Sequence, residues 1–410
     1  MELRSEINIK NKDDIIPKDW ISIRLGELAD ITSSKRIFAK EYSESGIPFY
    51  RGKEIIEKFN GKKISEDLYI KKSKYQEIKE KYGVPEEGDM LLTSVGTLGI
   101  PYLVKKYEEF YFKDGNLTWF RNFNDKVNNH FVYYWIISNL GREQLEYHKI
   151  GSTQQALTIE GLKNFIINLP PNQEQDIIIE ILSSLDDKIE LNRKINSNLE
   201  KIASLLFKQW FIDFEFPNEN GKPYKSSGGK MVDSEWREIP NNWIAGSFGD
   251  YFDIKYGKSD KEIIEDGVYP VYGAGGLLGF SNNFDYKGPQ IIIGCRGTCG
   301  NISIVFEDSK ITHNSLIISN KWKKFFLYLY LKNINIKDVI TGSTQPQITI
   351  KDLSSLNVLL PSKEIVDIFS QIIDPLFLNI KTNLLENIYL NKIRDSILPR
   401  LMNGKIRVKI

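Results

Sequence analysis

The sequence predicts an α+β fold, with two tandemly repeated, mixed and β-rich domains separated by two long helices that form an antiparallel coiled coil. Two observations lead to this fold class. Three segments of the first half recur in the second half in the same order, which is the mark of an internal duplication. Each half also ends in a long stretch with apolar residues at alternating steps of three and four, which is typical of coiled-coil packing.

The duplication is visible in three pairs of segments. "IPKDWISIRLGELADI" matches "IPNNWIAGSFGDYFDI" 223 residues later, and "MLLTSVGTLGIPYLV" matches "IIIGCRGTCGNISIV" 201 residues later. "GSTQQALTIEGLKNFIINLPP" and "GSTQPQITIKDLSSLNVLLPS" share nine of 21 residues at an offset of 191. Because the offset falls along the chain, the second copy is shorter between the landmarks, and those intervening stretches differ most between the two halves.

The middle pair predicts strand, glycine turn and strand in each half. Apolar residues that favour strands flank the pattern G-T-x-G, in which glycine permits a positive φ. The repeated domains are therefore expected to be mainly β with some helix.

Two helical seams follow the repeated loops. The first contains Ile178, Leu182, Leu185, Ile189, Asn192, Asn196, Leu199, Ala203, Leu206 and Trp210. The second contains Ile365, Phe369, Ile372, Leu376, Asn379, Asn383, Glu386, Leu390, Ile393 and Ile397. A seam asparagine lowers stability but selects register. We therefore hypothesise that the helices pair antiparallel, so that the pair Asn192 and Asn196 meets the pair Asn379 and Asn383; the alternative places these side chains at the wet edge of the seam. Helices of about 40 residues would be rigid spacers of about 60 Å.

Composition excludes several classes of protein. The chain has 410 residues, 41% hydrophobic content and a formal net charge of +1, so any role with nucleic acid must depend on local basic patches. Only two cysteines are present, which argues against a disulfide-stapled secreted fold. No apolar run reaches transmembrane length and the first residues lack a signal-peptide core, so we expect a cytoplasmic protein.

Motifs for catalysis are incomplete. "GKS" at Gly257–Ser259 would need a glycine at position 252 for a phosphate-binding loop, where Phe252 stands. "YGAGGLLGF" lacks the third glycine of a dinucleotide-binding motif. Cys295, Cys299 and His313 could supply three zinc ligands, but a structural zinc site has four, and small buried residues beside a glycine turn are the alternative interpretation. The sequence thus shows no convincing active site and no metal site.

Four stretches carry a resemblance to a known family. The chain resembles the specificity subunit of type I restriction–modification enzymes in "GSTQQALTIEGLKNFIINLPPNQEQ", "LFKQWFIDFEFPNENGKPYKSSGGKMVDSEWREIPNNW", "YPVYGAGGLLGFSNNF" and "ILPRLMNGKIRV". The resemblance covers essentially the whole chain. One departure is that the Glu174–Gln175 pair of the first helix has no counterpart in the second, where Ile365 follows Glu364. This difference puts equivalent docking of a partner on the second helix in doubt.

The resemblance implies two target-recognition domains, residues 1–168 and 217–360, each reading one half of an interrupted DNA sequence. The conserved helical regions, residues 169–216 and 361–410, would set the distance between the half-sites. The subunit would not be an enzyme. Two modification subunits, which methylate adenine at N6, and two restriction subunits would assemble with it on double-stranded DNA, without a membrane. No cofactor is expected on this chain, because S-adenosylmethionine, ATP and Mg would belong to those partner subunits.

Candidate DNA contacts follow from side-chain chemistry. Arg and Lys suit guanine, Asn and Gln suit adenine, and hydroxyls and cations suit phosphate. The first domain offers Lys35, Arg36, Tyr50, Arg51, Lys53 and Thr97. The second offers Tyr256, Lys258, Tyr272, Arg296 and Thr298. The alternative for each is an ordinary surface cation or a tyrosine at the edge of the core.

The repeated loop contributes Ser152, Thr153, Gln154, Ser343, Thr344 and Gln345. Two domains that read different sequences would not need the same reader, so this loop is better suited to contact with phosphate or to a scaffolding role. Thr158 and Thr349 are expected to cap the short helices that follow. Base reading is expected where the two halves differ, between Trp20 and Gly151 and between Trp243 and Gly342.

Two rival functions remain open from the sequence. A coiled-coil scaffolding protein would carry the same two modules but bind protein partners rather than DNA. A stand-alone methyltransferase or nuclease would need the cofactor and catalytic motifs that the sequence lacks. Salt-dependent affinity for duplex DNA separates the first rival from a DNA-binding protein, because phosphate contacts release counterions.

Overall fold

A computed structural model describes residues 16–408, apart from 152–154, 235–236, 259–261 and 320–322. Its contacts divide the chain into two compact units. The first unit comprises Met1–Arg193 and Glu386–Ile410, and the second unit comprises Lys194–Leu385. Each unit therefore contains one repeated domain together with one segment of each long helix. None of the described helices is long and apolar enough to cross a membrane.

The first unit begins with strands and ends in a long helix. Its elements are β1 (Ile21–Arg24), β2 (Asp30–Thr32), β3 (Tyr42–Ser43), β4 (Ile47–Tyr50), α1 (Gly52–Phe59), β5 (Tyr69–Ile70), α2 (Lys72–Tyr82), β6 (Met90–Thr93), β7 (Pro101–Leu103), β8 (Tyr111–Phe112), β9 (Leu117–Arg121), α3 (Asn129–Ile137), α4 (Asn139–His148), α5 (Ile159–Lys163), β10 (Ile166–Leu169) and α6 (Asn172–Phe207). Helix α6 continues into a π-helical turn at Lys208–Ile212.

The main sheet of the first unit has the antiparallel order β2-β9-β6-β7. Strand β6 is central, and all four of its residues, Met-Leu-Leu-Thr, are buried, which explains why it reads as a continuous apolar run rather than as an alternating one. The sheet packs with α3 and with the ends of the long helices, at Ile178 and Leu398, in one core. A second group of strands has the order β3-β5-β4-β8, and β1 pairs with β10.

The second unit repeats this plan with different insertions. Its elements are β11 (Met231–Asp233), β12 (Glu238–Pro240), β13 (Ile244–Ser247), α7 (Phe248–Tyr251), β14 (Asp253–Tyr256), β15 (Tyr269–Gly273), β16 (Gly276–Ser281), β17 (Gln290–Gly294), β18 (Ile302–Val305), β19 (Lys310–Ile311), β20 (Ser315–Ser319), α8 (Lys324–Asn333), α9 (Ile350–Ser354), β21 (Asn357–Leu360) and α10 (Lys363–Met402). The final helix α10 returns to the first unit at Glu386.

Strand order shows that the duplication is structural. The sheet β14-β20-β17-β18 of the second unit corresponds to β2-β9-β6-β7 of the first, and the pair β13 and β21 corresponds to β1 and β10. The parallel pair β15 and β19 likewise corresponds to β4 and β8. The units differ where the offsets change, because the region of α1 and α2 between β4 and β6 of the first unit is occupied in the second by β16, which forms a hairpin with β15. The prediction of two mixed, β-rich repeats is confirmed.

The long helices run antiparallel in each unit, as predicted. In the first unit Asp186 accepts a 2.8 Å hydrogen bond from Arg394, and Asn192 donates a 2.9 Å bond to Asn387. In the second unit Asn383 donates a 2.8 Å bond to Asn196. Of the predicted asparagines, Asn196 and Asn383 therefore meet each other, whereas Asn192 meets Asn387 instead of a predicted partner.

The prediction for Asn379 is wrong. Asn379 lies on the exposed side of α10, and Asn387, which was not predicted, is buried opposite Asn192. The buried positions include Phe369, Ile373 and Phe377. Two successive steps of four therefore shift the seam by one residue relative to strict alternation, which exposes Ile372 and Asn379. The predicted register returns at Asn383, and a second shift at Asn387 leaves Ile393 exposed.

The start of α6 is held by an ionic cluster, here named the terminal clamp, that comprises Asp19, Trp20, Glu174 and Arg407. Arg407 donates to both oxygens of Glu174 at 2.7 and 2.8 Å and to Asp19 at 2.6 Å. The Trp20 indole N–H donates to Glu174 at 3.2 Å. Glu174 and Gln175 are both buried, so this pair, which the second helix lacks, serves the interior of the first unit.

The predicted domain limits remain a prediction. The helical regions 169–216 and 361–410 enclose the observed helices Asn172–Phe207 and Lys363–Met402. The compact units, however, cut both helices, because each unit includes helix segments as well as strands.

Candidate nucleic-acid interface

The tertiary structure brings the two glycine-containing repeats together in each unit. We name the assembly the turn cluster. It comprises residues 94–99, 114–116, 150–151 and 155–156 in the first unit and residues 295–300, 312–314 and 341–347 in the second. The predicted residues Ser152, Thr153 and Gln154 lie outside the described residues.

Backbone hydrogen bonds hold the turn cluster of the first unit. Ser94 donates its amide to Asn116 at 2.8 Å and accepts from Leu157 at 2.9 Å. Ala156 and Ile150 exchange two bonds of 2.9 Å. The turn following β6 is thereby joined to the polar loop that follows α4, although 50 or more residues separate Ser94 from the loop's later residues.

The second unit makes the same bonds at equivalent positions. Cys295 donates its amide to Asn314 at 2.8 Å and accepts from Ile348 at 3.0 Å. Gln347 and Thr341 exchange bonds of 2.8 and 2.9 Å. Each bond corresponds to one in the first unit, so the two clusters share a backbone scaffold despite their different side chains.

Positive φ angles explain why the glycines recur. Gly96 and Gly297 have φ values of 81° and 77°, and the loop glycines Gly151 and Gly342 have 86° and 88°. A side chain at such a φ is strained. At Gly96 and Gly297 a Cβ would meet no atom within 4 Å. The backbone conformation rather than crowding therefore requires glycine there.

The predicted caps are confirmed. Thr158 accepts a bond from the amide of Gly161, and Thr349 accepts one from Asp352. Each threonine thus begins the short helix, α5 or α9, that follows the turn cluster, and its side chain satisfies an amide that has no partner within the helix.

In the first unit, most predicted cations are already paired with carboxylates. Arg36 is exposed and lies 2.6 Å from Asp114, in the turn between β8 and β9. Arg51 bonds Glu54 at 2.6 Å and Glu66 at 2.9 Å, and the hydrogen bond to Glu54 raises the pKa of Arg51. Lys53 lies 3.5 Å from Glu66. Arg51 is therefore committed to the start of α1.

The other predicted residues of the first unit differ in exposure. Thr97 is exposed at the tip of the turn cluster. Lys35 is exposed, with its ammonium 5.2 Å from the ring centre of Tyr82.

Tyr50, which the sequence suggested as a DNA contact, is buried in the structure. Its side chain is 9% exposed and stacks on Phe110 at a ring distance of 4.7 Å. Burial raises the pKa of Tyr50 to about 12. The residue belongs to the core, because strand β4 points this side chain inward, and so it does not present a ring to a base.

In the second unit the predicted residues gather more closely. Arg296 and Thr298 are exposed in the turn after β17, and Ser343, Thr344 and Gln345 are exposed in the adjoining loop. Among the described residues, no carboxylate forms an ion pair with Arg296. The Thr298 hydroxyl lies 3.2 Å from the position that a Cβ of Gly275 would occupy, so the loop after β15 borders the same cluster.

The remaining predicted residues lie on neighbouring strands of the second unit. Tyr256 is 38% exposed at the end of β14, and Lys258 is exposed two residues later. Tyr272 is half-buried beside Ile292 and Ile317, and burial raises its pKa to about 12. Tyr272 therefore belongs in part to the core.

Sequence analysis missed three kinds of residue in the clusters. Asn116 and Asn314 occupy equivalent positions, where their carbonyls hold the turn. Asp114 neutralises Arg36. Gln347 is exposed directly opposite Arg296 in an antiparallel bridge. Each asparagine directly precedes a strand, β9 or β20, but no sequence signal placed Gln347 beside Arg296.

The two cysteines of the second turn cluster lie among its backbone carbonyls. No group of three or more metal-ligating side chains occurs among the residues that the structure describes. Cys299 donates to the carbonyl of Pro346 at 2.8 Å, and burial raises the pKa of the Cys295 thiol. Both thiols therefore pack in the turn cluster as small side chains. Exposed hydroxyls, amides and cations surround them, and these are kinds of group that can bind phosphates and base edges in proteins that bind DNA.

The known proteins that this chain is similar to belong to one family. Residues 17–201 and 240–389 match the family model described as type I restriction modification DNA specificity domain. A type I restriction enzyme MjaIX specificity subunit from Methanocaldococcus jannaschii is 30% identical over 100% of this chain and 99% of its own length. A type I restriction enzyme HindI specificity subunit from Haemophilus influenzae is 27% identical over 67% of this chain and 77% of its own length.

A solved structure has the same fold. The crystal structure of a type I restriction-modification system S subunit from M. genitalium matches 99% of this chain and 98% of its own, with a TM-score of 0.55 and 19% sequence identity.

Proposed function

Because the chain belongs to the family of type I restriction–modification DNA specificity subunits, we propose that each of its two units reads one half of a bipartite DNA target. The chain is the non-catalytic DNA specificity subunit of such a system. We further propose how its DNA target is divided into halves and which parts of the chain contact it.

The observation that carries the proposal is the pair of turn clusters. Both units build the same backbone scaffold from residues far apart in sequence, and both surround it with exposed polar side chains. A shared scaffold with different surroundings suits two modules that bind the same kind of ligand but different sequences of it. Phosphate contacts position such a module, and contacts with base edges supply specificity.

The long helices are proposed to set the distance between the half-sites. Helices α6 and α10 each continue without interruption through the residue where one unit ends and the other begins. A continuous helix has a defined rise of about 1.5 Å per residue. We therefore expect insertion or deletion of whole helical turns to change the spacer between half-sites while leaving both half-sites unchanged.

A type I system also contains modification and restriction subunits, and the long helices offer surface for them. Apolar side chains outside the buried seam are at least one-third exposed: Ile181, Leu191, Ile202, Leu205, Ile368, Ile372, Leu378, Leu384, Ile388, Tyr389 and Ile393. Contiguous exposed apolar patches mark protein interfaces, and we take these side chains as the residues that would form one. We propose that two modification subunits dock here and bring S-adenosylmethionine and adenine-N6 methylation, and that two restriction subunits bring ATP and Mg.

The decisive experiment is co-expression with the cognate modification subunits, followed by mapping of methylated adenines across a host genome. We expect one interrupted motif with two specific blocks and a constant spacer. A single uninterrupted block would contradict the two-unit proposal. Affinity of the assembled complex for duplex DNA should fall steeply with salt, and salt-independent or absent DNA binding would favour a scaffold for protein partners instead.

A further inference from the structure

The two turn clusters differ at one pair of facing positions. An antiparallel bridge joins Arg296 to Gln347 in the second unit, and the equivalent bridge joins Val95 to Ala156 in the first. The surrounding backbone bonds are the same in both units. The duplication therefore preserved the support of this pair but changed its chemistry, from two apolar side chains to two side chains that carry several hydrogen-bond donors.

The bridge places the two side chains of each pair together. Directly opposed residues of an antiparallel pair have Cβ atoms about 4.5–5.5 Å apart and point to the same face. Arg296 and Gln347 are both exposed, whereas Val95 and Ala156 are half-buried. The Thr341 hydroxyl donates to the backbone carbonyl of Gln347 at 3.4 Å. The Arg296 guanidinium and the Gln347 side-chain amide form no ion pair or hydrogen bond with a described residue, so both groups are available to a ligand.

Rigid support adds to this availability. The amide of Arg296 bonds the carbonyl of Asn314 at 3.3 Å, and both backbone groups of Gln347 bond Thr341. Gly297, which follows Arg296, holds the turn with its positive φ. The backbone is thus fixed on both sides, and only side-chain rotation remains to be restricted when a ligand binds.

We propose, on the basis of the function proposed above, that Arg296 and Gln347 form the specificity-determining pair of the second unit. The guanidinium reads a guanine through its O6 and N7 atoms, and the Gln347 amide reads an adjacent adenine through N6 and N7. These are the bidentate pairings that arginine and glutamine make in the major groove. The equivalent pair Val95 and Ala156 has no donor, and its methyl groups suit the C5-methyl group of a thymine.

The conservative variant Arg296→Lys is the central test, because it keeps the charge but loses the planar fork. The complex of the chain with its modification subunits is assembled, and methylated sites are mapped for wild type, Arg296→Lys and Gln347→Ala. We expect each variant to lower discrimination between bases roughly 5- to 150-fold at one position of one half-site. The positions affected by the two variants should be adjacent, and the other half-site should be unchanged.

Arg24→Lys is the matched control, because Arg24 is an exposed arginine on β1, outside the turn cluster. It should leave the motif unchanged. Arg296 as a phosphate contact gives a different result: Arg296→Lys keeps the motif, and Arg296→Ala weakens binding to all sequences and reduces the salt slope by about one. That result, or unchanged discrimination in both variants, overturns the proposal.

A transfer experiment tests the pair in the other unit. The double variant Val95→Arg/Ala156→Gln should add a preference for guanine and adenine to the half-site read by the first unit and leave the other half-site as it was. An unchanged motif in an assembled, active complex argues against the pair. If wild type itself methylates a single-block motif, the bipartite function fails instead, and the two failures are thereby distinguished.

Discussion

Two equivalent tryptophans, one in each unit, have different surroundings. In the first unit, Trp20 donates to the buried carboxylate of Glu174, which Arg407 neutralises. In the second unit, Trp243 occupies the equivalent place, since each tryptophan amide bonds the carbonyl of a proline three residues earlier at 3.0 Å. The position of Glu174, however, is taken by Ile365. The indole nitrogen of Trp243 is consequently buried, without an acceptor among the described residues.

Aromatic packing replaces the ionic clamp in the second unit. The rings that pack against Trp243, here named the aromatic cluster, are Phe211, Phe214 and Phe216. The ring of Phe214 meets Trp243 edge-on at 5.1 Å, and Phe211 lies 4.8 Å from Phe369 of α10. The duplicated scaffold thus tolerates either an ion pair or an apolar cluster at the same joint, provided that the helix start and the tryptophan are both covered.

The largest expected effect comes from the aromatic cluster. Phe211→Ala should destabilise the second unit by about 3–5 kcal/mol, because it removes a buried ring and leaves a cavity. Hydrogen exchange should increase in strands β14, β17 and β20, whereas β2, β6 and β9 should keep their protection. Equal loss of protection in both units would show that they unfold together and that the comparison cannot be made unit by unit.

A smaller effect is expected from the terminal clamp. Arg407→Ala leaves the buried Glu174 carboxylate without its cation and should cost about 1–3 kcal/mol. The lower end is favoured because the Arg407 side chain is 41% exposed, so water can replace it in part. Denaturant unfolding at low and high salt measures the loss. Arg407→Lys should retain part of the stability, and an effect independent of salt would argue against an ionic role.

The tryptophan pair isolates the contribution of one hydrogen bond. Trp20→Phe loses the bond to Glu174, whereas Trp243→Phe removes an indole N–H that has no acceptor among the described residues. After the common loss of ring area, Trp20→Phe should cost about 1–2 kcal/mol more than Trp243→Phe. Parallel chemical denaturation of both variants gives the difference. Equal costs would indicate that the Trp243 nitrogen has a partner after all.

The smallest effect concerns the helix seam. Asn379→Ala should change stability by no more than about 0.5 kcal/mol, because the residue is exposed. Asn387→Ala removes the 2.9 Å bond with Asn192 and should cost about 1 kcal/mol. Thermal unfolding of the two variants measures both losses of stability. A larger loss for Asn379→Ala than for Asn387→Ala would support the seam that strict alternation predicts.

The sequence by itself determined the duplication, the two long helices and the strand–turn–strand motif, because repeats and periodicity are local properties of the chain. It also predicted the capping threonines and three of the four seam asparagines. The prediction that Asn379 lies in the seam was wrong, because a one-residue shift of the seam depends on which side chains of the facing helix fill the interface.

Only the tertiary structure decided which polar residues meet. It buried Tyr50 by the orientation of a strand, paired Arg51 with two carboxylates, and drew Glu174 into the interior of the first unit. It also set Gln347 beside Arg296, across a gap of 51 residues in sequence. Contacts between segments distant in sequence depend on how strands and helices pack, and the residues that make them carry no mark of their partners in the sequence.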